Sequence, residues 1–560
     1  MAFNAANAFK AAVAVSTAAL CAGMALPANA LPAESAPARK ARGPVPLPKA
    51  NGTFQHGRVG ISSNPEARTR RPHKVAAAGE RVLKVNLLDR DGETPSTERG
   101  PIAFAWPLNG DDGIPLEVVN GHAEGPVPDG DYIVDSRIHD TAPNGRSTSV
   151  LLYKPKVSVS ADTTVTLDGR TARPVRVESD RAGAASLSTV AAISQRLGGR
   201  YRAVALLLGD DNYVTPAAPG DDLQLDITAQ LTKGGAAEGS PYVYNISSSL
   251  KGIPADPTVR VRTADLAEVR TRHASSGGRS CANRQSFPVW ATNVELSLNN
   301  KVGALPAERT EYFTPGMDWG VDSSIVDASC VFEQRDYLMR KERFPHPGQY
   351  ARTWGQGPFG PGQGTFTPNS DGQNLIQVPL MNSADAETLV ASSPFTQGDT
   401  KLTDASGSVV ALSGIPGYLD GWEPAKPGKY TLTVNAKRSA SWSDLSSQQH
   451  ITWNVKVTDQ KATLPLGVVR YKVPGLDAGN RAPANSLQTV NLTPDGLTTG
   501  TTPKVWTSTD DGTTWKPAPV IKDGTGWKAA FRNPAKGYVS LRTQVNGIVD
   551  QTLIRAYGVR

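Results

Sequence analysis

"PGKYTLTVNAKR", residues Pro427 to Arg438, decides the fold class of this 560-residue chain. Tyr430, Leu432 and Val434 alternate with Thr431, Thr433 and Asn435, so one side of an extended segment is apolar and the other wet. A period of two is the signature of a β-strand, whose successive side chains point to opposite faces. Pro427 and Gly428 open the segment as turn residues. The same strand-and-turn unit recurs in "RVLKVNLLDRDG" (81–92), "IAFAWPLNGDDG" (102–113), "PVPDGDYIVDSRI" (126–138), "SVSADTTVTLDG" (158–169), "HITWNVKVTD" (450–459) and "KGYVSLRTQV" (536–545). Forty-three prolines and fifty-three glycines punctuate the chain, a texture that predicts an all-β protein of tandem β-sandwich domains. The best helical candidate, "AASLSTVAAISQRL" (Ala184 to Leu197), is short and isolated and reads equally well as two strands.

The N-terminus carries a secretory pattern. Lys10 supplies a small positive region, "AAVAVSTAALCAGMAL" the apolar stretch, and Ala28-Asn29-Ala30 small residues for cleavage. The mature chain is therefore expected outside the cell, and no later segment has the roughly 20 consecutive apolar residues of a membrane span. Cys281 and Cys330 are the cysteines left after the signal. In an oxidising compartment they predict a disulfide. Closing a loop of 49 positions stabilises by about 4 kcal/mol in the chain-entropy model. A zinc site with His273 or His346 is the weaker alternative, since neither cysteine has a second ligand two to four residues away.

The formal net charge of +7 does not point to nucleic acid. Residues 31–80 hold nine Lys or Arg against Glu34, Glu66 and Glu80, and Lys10 adds one more, so residues 81–560 are formally neutral. The basic field belongs to a Pro- and Ala-rich arm expected to be flexible. That arm, with "RTRRPHK", could associate the protein with anionic cell-wall polymer.

The expected division is a signal peptide at 1–30, the basic arm at 31–79, a first β-sandwich at 80–178, a disulfide-containing β domain at 179–370, a β-sandwich at 371–460 and a C-terminal Ig-like β domain at 461–560. The first unit, with a strand, a turn and a "V-P-x-G-x-Y" return, resembles the transthyretin-like or carboxypeptidase-regulatory-like sandwich.

"STDDGTTW", Ser508 to Trp515, matches the Asp box found on the propeller blades of sialidases. Its residues also explain a turn without any substrate. Asp510 can accept backbone N–H groups, Gly512 can take positive φ, Thr514 can bond locally and Trp515 can pack beneath the hairpin. A single copy predicts a structural hairpin. The chain contains no G-x-S-x-G elbow, no H-E-x-x-H pair and no P-loop. No catalytic residue, metal ligand or cofactor is assigned. Trp319, Trp354 and Phe359 stand in glycine-rich strings, "TPGMDWG" and "RTWGQGPFGPG", and are candidate platforms for a sugar or peptide.

Six strings in order, "LKVNLLDRDG", "PKVSVSADTTVTLDGRTARPV", "LPAERTEYFTPGMDW", "GQYARTWGQGPFGP", "LPLGVVRYKVPGLD" and "STDDGTTW" with the "GYVSLRTQVNG" that follows it, resemble the long C-terminal extension of large secreted actinobacterial subtilisin-like serine peptidases. The resemblance runs from about residue 80 to the end. It implies β architecture and secretion but no catalysis, because the D-[ST]-G, H-G-T-H and G-T-S-[MA] strings of that peptidase are missing here. The reading is a secreted non-enzymatic β protein that acts as spacer and recognition module for a protein, peptide or cell-surface glycan. Two alternatives stay open: an accessory subunit serving a secreted peptidase in trans, and a glycosidase or lyase using a carboxylate pair hidden from sequence.

Overall fold

The structure, a computed structural model, describes residues 79–560 apart from 96–101, 142–145, 208, 219–222, 290–297, 331–335, 369–372, 385–387, 393, 423–425, 460–462 and 498–500. The expected signal segment, and the arm except its last residue, lie outside the described residues. Among these residues there are forty strands and two single-turn 3-10 helices. The all-β tandem-sandwich class stands. Ala184–Leu197 is one continuous strand of 14 residues, not a helix. Its β-branched and small side chains pair on both sides, with Arg200–Leu207 and Leu223–Lys233, and that pairing overrides a weak local preference.

The sandwiches share walls. In the strand Gly130–Thr141, Tyr132 and Val134 face one core while Ile133 faces another. In Ser147–Val159, Val150 and Leu152 enter the first core while Leu151 and Tyr153 enter the second. Strand residues buried on both faces read as an unbroken apolar run, which "YIV" (132–134) and "VLLY" (150–153) are. The short strand Asp211–Val214 also joins the first sheet, pairing in parallel with Thr148–Leu151. Position 178 therefore does not separate two cores.

Position 460 does not either. The strand Gln448–Val457 pairs with Val549–Val559 inside one nine-stranded sheet. A single apolar core then runs from Phe366 to Val559 and includes Leu432, Trp453, Tyr471, Trp527 and Tyr557. Trp453 is 2% exposed, and its indole N–H donates to Gly467 O at 2.7 Å. Such a ring contributes several kcal/mol by burial alone.

Buried polar joints tie the disulfide-containing part to this C-terminal part. Asn480, fully buried at φ 55°, donates to Ser275 O and Gly355 O and accepts from Gln356 Nε2 and Gly357 N, all within 2.9 Å. Asp336 accepts from Arg438 at 2.8 Å and from the Trp442 indole at 3.1 Å. A buried amide with every hydrogen-bonding site used specifies one geometry, since any shift leaves unpaired polar atoms. The chain is built of adjoining sandwiches, not beads on flexible links.

Asp135 in the first wall makes a pH prediction. Its carboxyl is fully buried, accepts one bond from the Trp106 indole at 2.7 Å, and has a second oxygen with no partner among the described residues. Burial pushes it up to about 7, against the opposing pull of the Trp106 bond and of Arg137. A raised carboxyl stabilises fully below its unfolded value near 4, and the contribution is lost as pH rises through 7. The chain should lose roughly 2–4 kcal/mol between these limits. Asp135→Asn should flatten that slope in urea titrations at stepped pH. An unchanged slope would show the carboxyl to be solvated.

Candidate ligand-binding groove

The wet face of the nine-stranded C-terminal sheet is where the polar half of the "PGKYTLTVNAKR" alternation points. Tyr430, Leu432, Val434 and Ala436 enter the core, leaving Thr431, Thr433, Asn435 and Lys437 outside. The next strand repeats the division, with Gln448, His450, Thr452 and Asn454 outside. Antiparallel register then lines up one residue per strand, from Asp399 through Asn435, His450, Thr552 and Arg542 to Trp506. Neighbouring strands lie about 4.8 Å apart, so the row is a ladder of polar side chains crossing five strands and ending on Trp506 in the sixth.

These side chains are wired together. Asn435 Nδ2 donates to Asp399 Oδ1 at 2.6 Å. The amide oxygen of Asn435 is left as an acceptor, 2.6 Å from His450 Nδ1. His450 Nδ1 is therefore the donor, and in the neutral ring Nε2, 3.5 Å from Thr452 Oγ1, is an acceptor. Arg542 holds Asp550 with two bonds of 3.0 and 2.7 Å, and Gln544 adds a third at 3.3 Å.

The Ser508 to Trp515 hairpin forms the rim. Ser508 Oγ donates to Asp510 Oδ1 at 2.6 Å and accepts from Gly512 N at 2.9 Å. Asp510 in turn accepts from Thr514 N and Thr514 Oγ1 at 2.9 and 2.5 Å. The Ser508 and Thr514 bonds outweigh a smaller upward push from burial and pull the Asp510 carboxyl down to about 2. Gly512 sits at φ 86°, and a Cβ there would lie 2.8 Å from Ile554 Cδ1, so glycine is required on two counts. Trp515, just before the strand Lys516–Ala518, is half-buried and lines the groove; it is not buried beneath the hairpin as expected. Asp511 is gripped by Arg555 at 2.7 Å. Together the sheet face and hairpin border an open groove of about 910 Å³, within the size range of small-ligand sites.

The aromatic platforms expected from sequence are not there. Trp319, Trp354 and Phe359 are 0%, 2% and 3% exposed and belong to one core cluster. Trp319 is the second residue of the strand Asp318–Asp327 and packs edge-on against Phe313 at 5.3 Å. The Arg284 guanidinium lies 4.0 Å over the Trp354 ring. Their glycine neighbours mark places where the chain dives inward, not exposed loops. The disulfide is present, joining Cys281 and Cys330 with Cα atoms 5.4 Å apart.

The strongest buried charge cluster is structural. Glu311, 1% exposed, accepts from Arg284 at 3.1 and 2.8 Å and from Arg309 at 3.0 and 2.7 Å. Burial would raise its carboxyl, but the two guanidiniums overcome this and hold it well below the ordinary range. His273 beside them is kept neutral by burial first and by Arg309 and Arg284 second. Sealed from solvent, it cannot serve as a base for an outside substrate. Among the described residues no group of three or more His, Cys, Asp or Glu is placed to hold a metal ion.

No family model and no curated protein matches the chain. Several solved structures are similar to it. The Bacillus anthracis TIE protein is 9% identical, covering 68% of this chain and 66% of its own, with a TM-score of 0.13. A putative adhesin from Bacteroides ovatus is 10% identical over 50% and 88%, TM-score 0.15. The Escherichia coli alpha-2-macroglobulin is 8% identical over 86% and 53%, TM-score 0.13. Likenesses this slight carry no argument about function. What stands is a multidomain all-β protein with one disulfide and a polar groove.

Proposed function

We propose that the chain is a secreted, non-enzymatic recognition protein in which the outward face of the C-terminal sheet is the ligand surface. One observation carries this reading: the groove collects convergent polar side chains on rigid, centrally paired strands, yet its carboxylates are all engaged. Asp550 is held by Arg542, Asp511 by Arg555, and Asp399 by Asn435. A glycosidase needs one carboxyl to give a proton and another to attack or to activate water. Carboxylates locked to guanidinium or amide partners suit binding better than turnover. The signal-like N-terminus and the disulfide support an extracellular setting. The adjoining sandwiches would hold the groove at a fixed distance from whatever tethers the chain.

Glycan and peptide arrays probed with the mature chain and with Thr552→Trp, which fills the middle of the row, test the reading. Array signals given by the native chain should vanish for the filled variant. Full retention of every signal would move the ligand surface elsewhere.

A further inference from the structure

We infer that the ligand of this groove is an uncharged saccharide chain, lying across the strands along the row from Asn435 to Arg542 with a ring face against Trp515. The inference rests on the groove being the ligand surface, and three features of that surface select the chemistry.

The first is charge. Lys437, Arg542, Asp511 and Asp550 line the groove, two cations and two anions. Arg542 is chelated by Asp550 at 2.7 Å, and Arg555 closes on Asp511 at 2.7 Å. A phosphate, sulfate or uronate would have to break one of these pairs to gain a guanidinium, leaving a carboxylate stranded beside it; the other lining cation, Lys437, stands at the end of its strand, outside the row from Asn435 to Arg542. A neutral ligand keeps both.

The second is the alternation of donors and acceptors. With the Asn435 amide committed to Asp399 and His450 Nδ1 committed to Asn435, His450 Nε2 presents an acceptor. Thr552 beside it can donate or accept. Sugar hydroxyls also do both, so each finds a partner whichever way it rotates. The strand spacing of about 4.8 Å is close to the length of one sugar unit in an extended chain, so an oligosaccharide crossing the strands meets one polar side chain per unit. Trp515, half-buried at the rim with its ring edge against Gly512, offers the apolar surface on which the C–H face of a pyranose stacks.

The third feature excludes peptide main chain as the recognised element. The strands Gly428–Lys437, Gln448–Val457, Val549–Val559 and Gly537–Val545 are each paired on both sides. Their backbone N–H and C=O groups are used, and a peptide cannot add as another strand on this face.

Calorimetric titration of the full mature chain with cellohexaose, maltohexaose, chitohexaose and mannohexaose tests the inference, with hexagalacturonate and a hexapeptide pool as rivals. At least one neutral hexasaccharide should bind, and its affinity should be unchanged when the salt is raised, because no ion pair forms. Trp515→Ala should weaken it at least tenfold and Trp515→Phe by less. Asn435→Ala, an outward-facing change remote from the hairpin, should also weaken it several-fold and serves if the Trp515 variants melt early. No binding by any neutral hexasaccharide at millimolar concentration overturns the inference. So does binding of hexagalacturonate or peptide that Thr552→Trp abolishes, although the groove then remains the ligand surface. Binding of any probe at full strength by Thr552→Trp overturns the groove itself.

Discussion

Glu311→Ala should cost the chain about 3–5 kcal/mol, among the largest losses available to a single substitution here. Among the described residues the carboxylate is the only anion bonded to both Arg284 and Arg309. Removing it leaves two guanidiniums buried at 4% and 6% exposure. Their remaining bonds, to Asp322 O at 3.2 Å and Asn300 Oδ1 at 2.6 Å, are to neutral acceptors. An unpaired buried charge costs far more than the pair contributes, so the loss measures stranding and not attraction. Glu311→Gln keeps the shape and one acceptor oxygen and should lose somewhat less. Replacing all three residues by apolar ones of similar size should recover most of the stability, since no charge is then stranded. Urea denaturation checks the series, and a Glu311→Ala loss below about 1 kcal/mol would mean that water reaches the cluster.

Reducing Cys281–Cys330, or converting both cysteines to serine, should cost about 4 kcal/mol by freeing a long loop in the unfolded chain. Beads on a string would confine that loss to one calorimetric transition. The joints argue otherwise. Asn480 reaches Ser275 O and Gly355 O, and Asp336 accepts from Arg438 and Trp442. Opening the disulfide-containing part therefore strands buried groups in the C-terminal part. Native-state hydrogen exchange should show amides of Gln448–Val457 losing protection together with those of Ser280–Pro288 upon reduction. If only the latter respond, the two parts unfold independently.

The fold class was legible because alternation is a local property. "PGKYTLTVNAKR" and "HITWNVKVTD" name their own inward and outward residues, and the structure divides them in that way. The disulfide was legible because two cysteines leave one pairing. Shared walls were harder to see. "VLLY" carries the signal of a strand buried on both faces, but a sequence does not say which second layer covers it. Trp319, Trp354 and Phe359 misled because glycine and proline beside an aromatic ring mark a change of direction, and direction into the core looks the same as direction into solvent. The groove was hidden for a different reason. Asn435, His450, Thr552 and Arg542 come from four strands spread over more than a hundred residues, and only strand pairing sets them in a row. The one local hint was the composition of the wet positions, amides and hydroxyls where a solvated sheet more often carries Lys and Glu. The Ser508 to Trp515 string carries local hydrogen bonds of its own, but its position at the rim of that row depends on tertiary packing.

The claim on which the rest depends is that this sheet face is where the protein meets its ligand. Hydrogen exchange of the mature chain, free and bound to whichever array glycan or peptide gives the strongest signal, tests it most directly. Protection gained on ligand addition should concentrate in Gly428–Lys437, Gln448–Val457, Val549–Val559 and the Ser508 to Trp515 hairpin. Protection that appears instead in the first sandwich or around the disulfide, with these strands unchanged, would contradict the account.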